Sequence, residues 1–345
     1  DYMKAAIIQN EREIEIIDVS LPDIKDDEVL VKVAAVGLCT FEQGFYFGHK
    51  KKYPFAGGHE IAGIVQKVGK NVSQKLQAGD FAAILSLTRC EQCYPCRRGY
   101  DNQCENNFDT EKVPGYQGPG GFAEYFIAKD YEVYKLHPET PLKFAVLAEP
   151  LACVCHSLEL GNPDLGDTVL VSGAGFMGAL HVLLLKKRGC RVLVSEPNEL
   201  RRKKATALGA DMTVDPINED IKAAIHSFTN GRGLNRAFFT AGGKVALEQA
   251  IDGLGVRGVL VVYGSTGDKD ILQIDPRIFH YREIAITGVI KHTKKSIQKA
   301  IDILKQKEFD FGRFLSKEVS FDNLKEGFEM TREPDVYRVL AVWEK

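Results

Sequence analysis

An excess of charge of either sign is missing from this chain: 45 Lys and Arg stand against 47 Asp and Glu, a formal net charge of −2 over 345 residues. Such a balance offers no attraction to nucleic acid or to an anionic membrane. No apolar run approaches the roughly 20 residues that cross a bilayer, so no membrane partner is expected. The opening stretch, DYMKAAIIQNE, has no basic region followed by an apolar one, so no export leader is expected. Repeats, low-complexity tracts and disordered linkers are absent too. Cysteine is scarce: there are eight, and four of them fall within residues 90–104. Four clustered and four scattered cysteines without an export signal point to a reducing compartment, the cytoplasm. With 44% hydrophobic and 27% charged residues, the chain can bury a large core as a soluble globular protein. Its length exceeds one ordinary domain, and two are expected.

Residues 3–135 read as short strands broken by turns. EVLVKVAAVGLC (28–39) and HEIAGIVQKVG (59–69) mix alternation with buried apolar runs, and glycines at 57, 58, 63, 69 and 79 punctuate them. A compact β-rich domain follows from that pattern. Past residue 140 the pattern changes. FAVLAEPLACVCHSLEL (144–160) is helix-like, and then strands (DTVLVSG, RVLVSE, AFFTAG, VLVVYG, IAITGVI) alternate with helical segments (FMGALHVLLLKKRG, ELRRKKATALG, ALEQAIDGL). This alternation predicts an α/β domain, a doubly wound parallel sheet with helices on both faces. The tail carries a helix, KSIQKAIDILKQ, and a final strand, RVLAVWE, that can return to the first domain.

VLVSGAGFMG holds G-x-G-x-x-G at Gly173, Gly175 and Gly178, with Phe176 and Met177 between the last two glycines. It follows an apolar strand and opens a helix, the setting in which the motif has a mechanism. Gly173 permits the tight turn, Gly175 lets the backbone approach a pyrophosphate, and Gly178 lets helix and strand pack closely. Glu196 ends the next strand, where a carboxylate accepts hydrogen bonds from ribose hydroxyls and repels a 2′-phosphate. The expected cofactor is therefore a nicotinamide dinucleotide, NAD rather than NADP. Against this stand Arg201 and its neighbours in RRKK (201–204), which either hold a phosphate or form a solvated helix face. The plainer alternative is a glycine-rich turn with Glu196 as a surface charge.

The cluster CEQCYPCRRGYDNQC spaces Cys90, Cys93, Cys96 and Cys104 as C-x2-C-x2-C-x7-C. Two-residue gaps let thiolates point at one centre, and four thiolates close a tetrahedral zinc site with no open position. A disulfide or a redox couple is the competing reading. GLCTFE (37–42) and GGHE (57–60) bring a thiol, an imidazole and carboxylates that can bind zinc with a position left open. By spacing alone, Cys39 is equally a buried thiol and His59 a satisfied core histidine.

In this order, GHE, the four-cysteine cluster and GxGxxG resemble the zinc-dependent medium-chain dehydrogenase/reductase family. The likeness runs on through PGYQGPGGFAEYFIA (114–128), AEPLACVCH (148–156) and LGAD (208–211), and is nearest the polyol (sorbitol) and threonine dehydrogenase branch. It implies a β-rich GroES-like catalytic domain over 1–148, a structural-zinc lobe near 88–106, a Rossmann domain over 149–290, and a C-terminal segment (291–345) returning to the first. It places Cys39, His59 and Glu149 around a catalytic zinc, with Glu60 a direct or exchanging ligand, and Glu42 orienting the histidine. It assigns structural zinc to Cys90, Cys93, Cys96 and Cys104, and leaves Cys153, Cys155 and Cys190 as packing thiols. A homo-oligomer, dimer or tetramer, acting on a small-molecule substrate is implied as well.

One departure stands at the catalytic cysteine. The family usually reads Cys-Gly-Ser/Thr-Asp, and this chain reads Cys39-Thr40-Phe41-Glu42. The hydroxyl that ordinarily takes the alcohol's proton is replaced by Phe41, which cannot. Thr40 carries a hydroxyl one residue away, on the opposite face if the segment is extended. Thr40, water or the substrate itself are the three candidate routes, with Phe41 shaping an apolar pocket. Lys50, Lys51, Lys52, Lys291 and His292 fall near the family's substrate region, where lysines recognise an anionic group or form a solvated loop. The expected activity is NAD-dependent oxidation of a secondary alcohol of a polyol, sugar or amino alcohol. A carbonyl reductase, a redox-neutral epimerase and a zinc-lobed binding module without catalysis are the alternatives.

Overall fold

Alternating apolar side chains build the first hairpin. Strand β1 (Tyr2–Asn10) pairs antiparallel with β2 (Glu13–Ser20) and buries Met3, Ala5, Ile7 and Ile8. Next come β3 (Glu28–Gly37), helix α1 (Thr40–Tyr46), β4 (Glu60–Val68), β5 (Phe81–Leu85), helix α2 (Tyr94–Arg97), β6 (Tyr125–Lys129) and β7 (Val133–Lys135). In one sheet β3, β4, β5 and β7 are successive neighbours, and β6 also pairs with β3. Val29, Val31 and Val33 of β3 enter a core shared with Phe45, Tyr46, Phe122 and Phe126. Four valines in one strand suit this position, because β-branched side chains pack well on a pleated, buried surface.

Helix α1 corrects the extended reading of residues 40–42. Cys39 is its N-cap, with its carbonyl accepting from the Gln43 amide at 3.0 Å, and Phe45 and Tyr46 are buried on its inner side. Thr40 therefore opens a helix instead of lying on a strand.

Helix α3 (Ala148–Gly161) leads into the alternating segment: β8 (Thr168–Ser172), α4 (Phe176–Lys187), β9 (Arg191–Ser195), α5 (Glu199–Ala207), β10 (Met212–Val214), α6 (Ile221–Phe228), β11 (Leu234–Phe239), α7 (Gly243–Gly253), β12 (Leu254–Val262), α8 (Arg277–Arg282) and β13 (Ala285–Gly288). The six strands run parallel in the order β10-β9-β8-β11-β12-β13. Strand order reverses between β8 and β11, and in such sheets ligands bind outside the carboxyl ends of the strands at that reversal. The glycine turn follows β8 there. The stretch Leu142–Gly161 is long and apolar enough to cross a membrane by length and composition, yet its apolar window is 72% buried in the protein. The sequence reads 144–160 as helix-like and expects no run of membrane-crossing length; burial accounts for the apolar character of this one.

The chain then forms α9 (Lys294–Leu304), β14 (Leu315–Ser320), α10 (Leu324–Met330) and β15 (Arg338–Val342). Strand β15 lies parallel to β14 and antiparallel to β3, so the last strand joins the first sheet. This computed structural model describes residues 2–73, 75–107, 111–267 and 270–343. It divides into Asp1–Ala152 with His292–Lys345, and Cys153–Lys291.

Candidate active site and zinc sites

The end of β3 and the start of β4 deliver the first group of side chains. Gly37 and Glu60 face each other across these strands, and Cys39 follows at the N-cap of α1. Glu42, in the first turn of α1, is completely buried. Its Oε1 accepts from the Gly58 amide at 3.0 Å and lies 2.6 Å from Nδ1 of His59. A carboxylate on Nδ1 fixes the ring and leaves Nε2 as the atom that can bind a metal beside Cys39. Burial disfavours the charged imidazole, but Glu42 and Cys39 outweigh it and hold His59 well above the ordinary histidine pKa.

His59 is common to two groups of ligand atoms. Donor atoms of Cys39, Glu42 and His59 lie within 4.8 Å of one another, and so do those of His59, Glu60 and Glu149. Glu60 Oε1 accepts from Arg338 Nη2 at 2.7 Å, while Arg338 Nη1 donates to the Leu38 carbonyl at 3.0 Å. Glu60 Oε2 is buried and has no hydrogen-bond partner among the described residues. A Cβ at Gly37 would fall 2.1 Å from that same oxygen, so only glycine leaves the carboxylate its place. Burial pushes Glu60 up to about 7 against the pull of Arg338. A thiol, an imidazole and two carboxylates, one with an orphaned buried oxygen, are a donor set that fits zinc.

The cysteine lobe is a second, closed set. Sulfurs of Cys90, Cys93, Cys96 and Cys104 all lie within 4.8 Å of one another, and none of these four is in a disulfide. Cys93 caps α2 and donates its amide to the Cys90 sulfur at 3.3 Å, and the Cys90 amide donates to the Cys104 sulfur at 3.4 Å. The Cys93 and Gln92 amides draw Cys90 down to about 6, whereas burial and the neighbouring thiols push Cys96 up to about 12. Four thiols this close resist losing their protons together unless a cation joins them, so the lobe fits a tetrahedral zinc.

In the other unit the glycine turn has the shape its sequence predicts. Gly173 has φ +90°, and a Cβ at Gly178 would meet the Gly173 carbonyl oxygen at 2.0 Å. At Gly175 an added Cβ meets nothing within 4 Å, so the helix N-cap opens onto free space where a phosphate can approach. Phe176 and Met177 open α4 beyond it. Glu196 is 4% exposed, which sets aside its reading as a surface charge. Its carboxylate accepts from the Ala174 amide at 2.8 Å and the Asn198 amide at 2.9 Å, so it braces the glycine loop. The amide of Arg201 donates to the Asn198 side chain, and it is Arg202 that binds the backbone carbonyls of Glu196 and Pro197.

Thr40 is exposed, its hydroxyl 3.9 Å from the Cys39 sulfur. Phe41 stands edge-on to His59 with ring centroids 5.7 Å apart, and the Lys50 ammonium lies 4.0 Å from the centre of its ring. His292 is 3% exposed and is not open to a substrate. Arg338 was overlooked from sequence, although an arginine among the apolar residues of RVLAV demands a buried partner.

A closed thiol lobe, a mixed open ligand set and a dinucleotide-type glycine turn on a doubly wound sheet define a zinc-dependent dehydrogenase. The family described as "Alcohol dehydrogenase GroES-like domain" matches residues 25–138, and "Zinc-binding dehydrogenase" matches 177–306. An L-threonine 3-dehydrogenase of Pyrococcus horikoshii is 29% identical over 326 residues, covering 92% of this chain and 92% of that one. A sorbitol dehydrogenase of Bacillus subtilis is 29% identical over 333 residues, covering 95% and 93%. A zinc-binding dehydrogenase from Sinorhizobium meliloti, solved bound to NADP, superposes with a TM-score of 0.90 at 26% identity over 99% of both chains. This chain belongs to the zinc-dependent medium-chain dehydrogenase/reductase family, near its polyol and threonine dehydrogenase branch. Its first unit is GroES-like and its second a Rossmann domain.

Proposed function

We propose that this chain oxidises the secondary hydroxyl of a polyol, sugar or amino alcohol to a ketone, passing the hydride to NAD and releasing the proton. The observation that carries this is the meeting of Cys39, His59, Glu60 and Glu149 around His59, with a buried carboxylate oxygen left unpartnered. Cys39, His59 and Glu149 would hold the zinc, and Glu60 would exchange onto it. Zinc supplies Lewis acidity, which brings a hydroxyl's pKa toward neutrality, and NAD supplies the hydride acceptor. Glu42 keeps the His59 ring in one tautomer, and Arg338 keeps Glu60 folded back. Phe41 walls the site with an apolar ring, so the proton leaves past the exposed Thr40 hydroxyl or through water. Vicinal polyols and amino alcohols should outperform 2-propanol, because a neighbouring heteroatom can relay the proton that Phe41 cannot.

NAD is the cofactor we assign, on the carboxylate of Glu196 at the end of β9. The relative solved with NADP makes the choice a direct test. Purified protein is incubated with a panel of polyols, L-threonine and simple alcohols, with NAD or NADP, and absorbance of the reduced cofactor is followed. Faster turnover with NADP would move the reading of the ribose from Glu196 to Arg201 and its neighbours. No oxidation of any alcohol would bring the reductase or epimerase chemistry forward. We place the protein in the cytoplasm, on its clustered reduced thiols. We infer a homo-oligomer, supported by strand β13, an edge of the six-stranded sheet, near which Tyr281 and Ile290 are exposed. Light scattering on the purified protein tests that assembly.

A further inference from the structure

Two of the candidate zinc ligands have visible supports: Glu42 for His59, and Arg338 for Glu60. The third, Glu149, has one too. His292 Nε2 lies 3.7 Å from Glu149 Oε1. The ring is fixed by Arg89, whose Nη2 donates to His292 Nδ1 at 3.2 Å and to the His292 carbonyl at 3.1 Å. A guanidinium has only donors, so its contact occupies the Nδ1 lone pair and leaves the ring proton on Nε2. That N–H faces the Glu149 carboxylate. Both Arg89 and His292 are 3% exposed, so water does not compete for these contacts.

Arg89 is itself held from the cysteine lobe. Its Nε donates to Asp101 and its Nη1 to the Leu87 carbonyl at 3.1 Å. Arg89 immediately precedes Cys90, and Asp101 lies between Cys96 and Cys104. A continuous chain of polar contacts therefore runs from the closed thiol lobe to the open ligand set, all within one unit of the fold.

We propose that His292 is a positioning residue for Glu149, and that Arg89 couples its orientation to the cysteine lobe. The proposal rests on Glu149 being a ligand of the open zinc site. In a metal-loaded site, a swing of about 1 Å brings Glu149 Oε1 within hydrogen-bond reach of the Nε2–H, and leaves the other oxygen for the metal. Partners of this kind typically change metal affinity about 10- to 100-fold.

The test uses the full chain, stripped of metal and reloaded with cobalt(II), whose visible spectrum reports ligand geometry. Cobalt affinity at the open site is measured against a competing chelator, and kcat and KM are measured with the reloaded enzyme. His292→Phe keeps the ring volume but removes the N–H; affinity should fall about 10-fold or more, with a shifted spectrum and lower kcat at unchanged KM for NAD. His292→Gln restores a donor and should recover most of the affinity. Arg89→Lys cannot serve both Nδ1 and the carbonyl, and should weaken the open site while the lobe keeps its metal. Parent-like cobalt binding in His292→Phe, or equal losses in the Phe and Gln variants, would overturn the proposal. If His292→Phe does not fold, unchanged affinity in Arg89→Lys overturns it instead. A parent protein that binds one metal per chain, in the lobe alone, defeats the zinc reading itself before any variant is compared.

Discussion

Phe41 occupies the place where the family carries a hydroxyl, and the structure shows what its ring does there: it packs edge-on to His59, Phe45 and Phe55. Thr40 holds a side-chain hydroxyl that is exposed and 3.9 Å from the Cys39 sulfur. Proton relays typically contribute 100- to 10,000-fold, so the route should be visible in kinetics. Thr40→Val keeps the shape and deletes the hydroxyl; if Thr40 is the relay, kcat should fall about 100-fold with zinc content unchanged. Unaltered turnover would assign the proton to water or to the substrate. A second residue-scale effect concerns His181 on α4, fully buried, its Nδ1 donating to the Met177 carbonyl at 2.8 Å and its Nε2 2.9 Å from the Ser157 hydroxyl. Burial lowers its pKa to about 4 from an ordinary value of 6.5. The unfolded chain takes up this proton first, so its contribution to stability is full above pH 6.5 and is lost as pH falls toward 4. The loss is of order 3 kcal/mol. Across that range denaturant melts should show the parent losing stability more steeply with falling pH than His181→Gln; equal slopes would assign the titration to another group. Residue types at the site were readable from GHE, GLCTFE and the cysteine spacing. Their supports, Arg338, Arg89 and His292, were not, because contacts across hundreds of residues leave no local pattern.

Elements were most legible where periodicity ran long. The helices and strands around the glycine loop appear where alternation puts them, since an apolar strand followed by Gly173, Gly175 and Gly178 admits few other conformations. Strand β10 was missed because three residues, MTV, carry no period. Helix α6 has Ile221, Ala224, Ile225 and Phe228 buried at helical spacing, with Asp220 capping its first amides, and was readable but unread. Helix α1 was hidden by GLCTFE, whose small and β-branched residues resemble the strand before it. The cysteine lobe is an element of another kind: a short helix and turns with little apolar burial, since no residue of α2 is buried. Metal replaces a core there. Cys93→Ser should remove one zinc per chain and lower the melting temperature, with NAD affinity of the Rossmann unit unchanged. Normal zinc content in the Ser variant would sink the lobe assignment. If Arg89 couples lobe to ligand, turnover in this variant should fall alongside that of Arg89→Lys.

At the scale of the whole chain, the last strand completes a site begun near the start. Arg338 enters on β15, which pairs with β3, and its guanidinium meets Glu60 and the Leu38 carbonyl. Neither partner has water to fall back on: Arg338 is 3% exposed and Glu60 1%. Replacing one member of a buried ion pair typically costs about 3–5 kcal/mol, because the other charge stays buried without compensation. Arg338→Met keeps length and apolar packing, so the loss measured by denaturant melts reports the missing charge. Glu60 moderates it: burial already pushes this carboxyl up to about 7, and without Arg338 it protonates more readily, which places the expected loss toward the lower end. Two further measurements separate charge from packing. Glu60→Gln in the Arg338→Met background should recover part of the stability, since both charges are then gone. Added zinc should also narrow the gap between variant and parent, because a cation at the His59–Glu60–Glu149 group replaces the guanidinium as Glu60's partner. If chelator-treated Arg338→Met is as stable as the parent, Glu60 is already neutral in the metal-free fold and the ion pair contributes nothing to it. If zinc widens the gap instead, Arg338 holds Glu60 in the geometry that the metal needs, and the two cations cooperate rather than exchange.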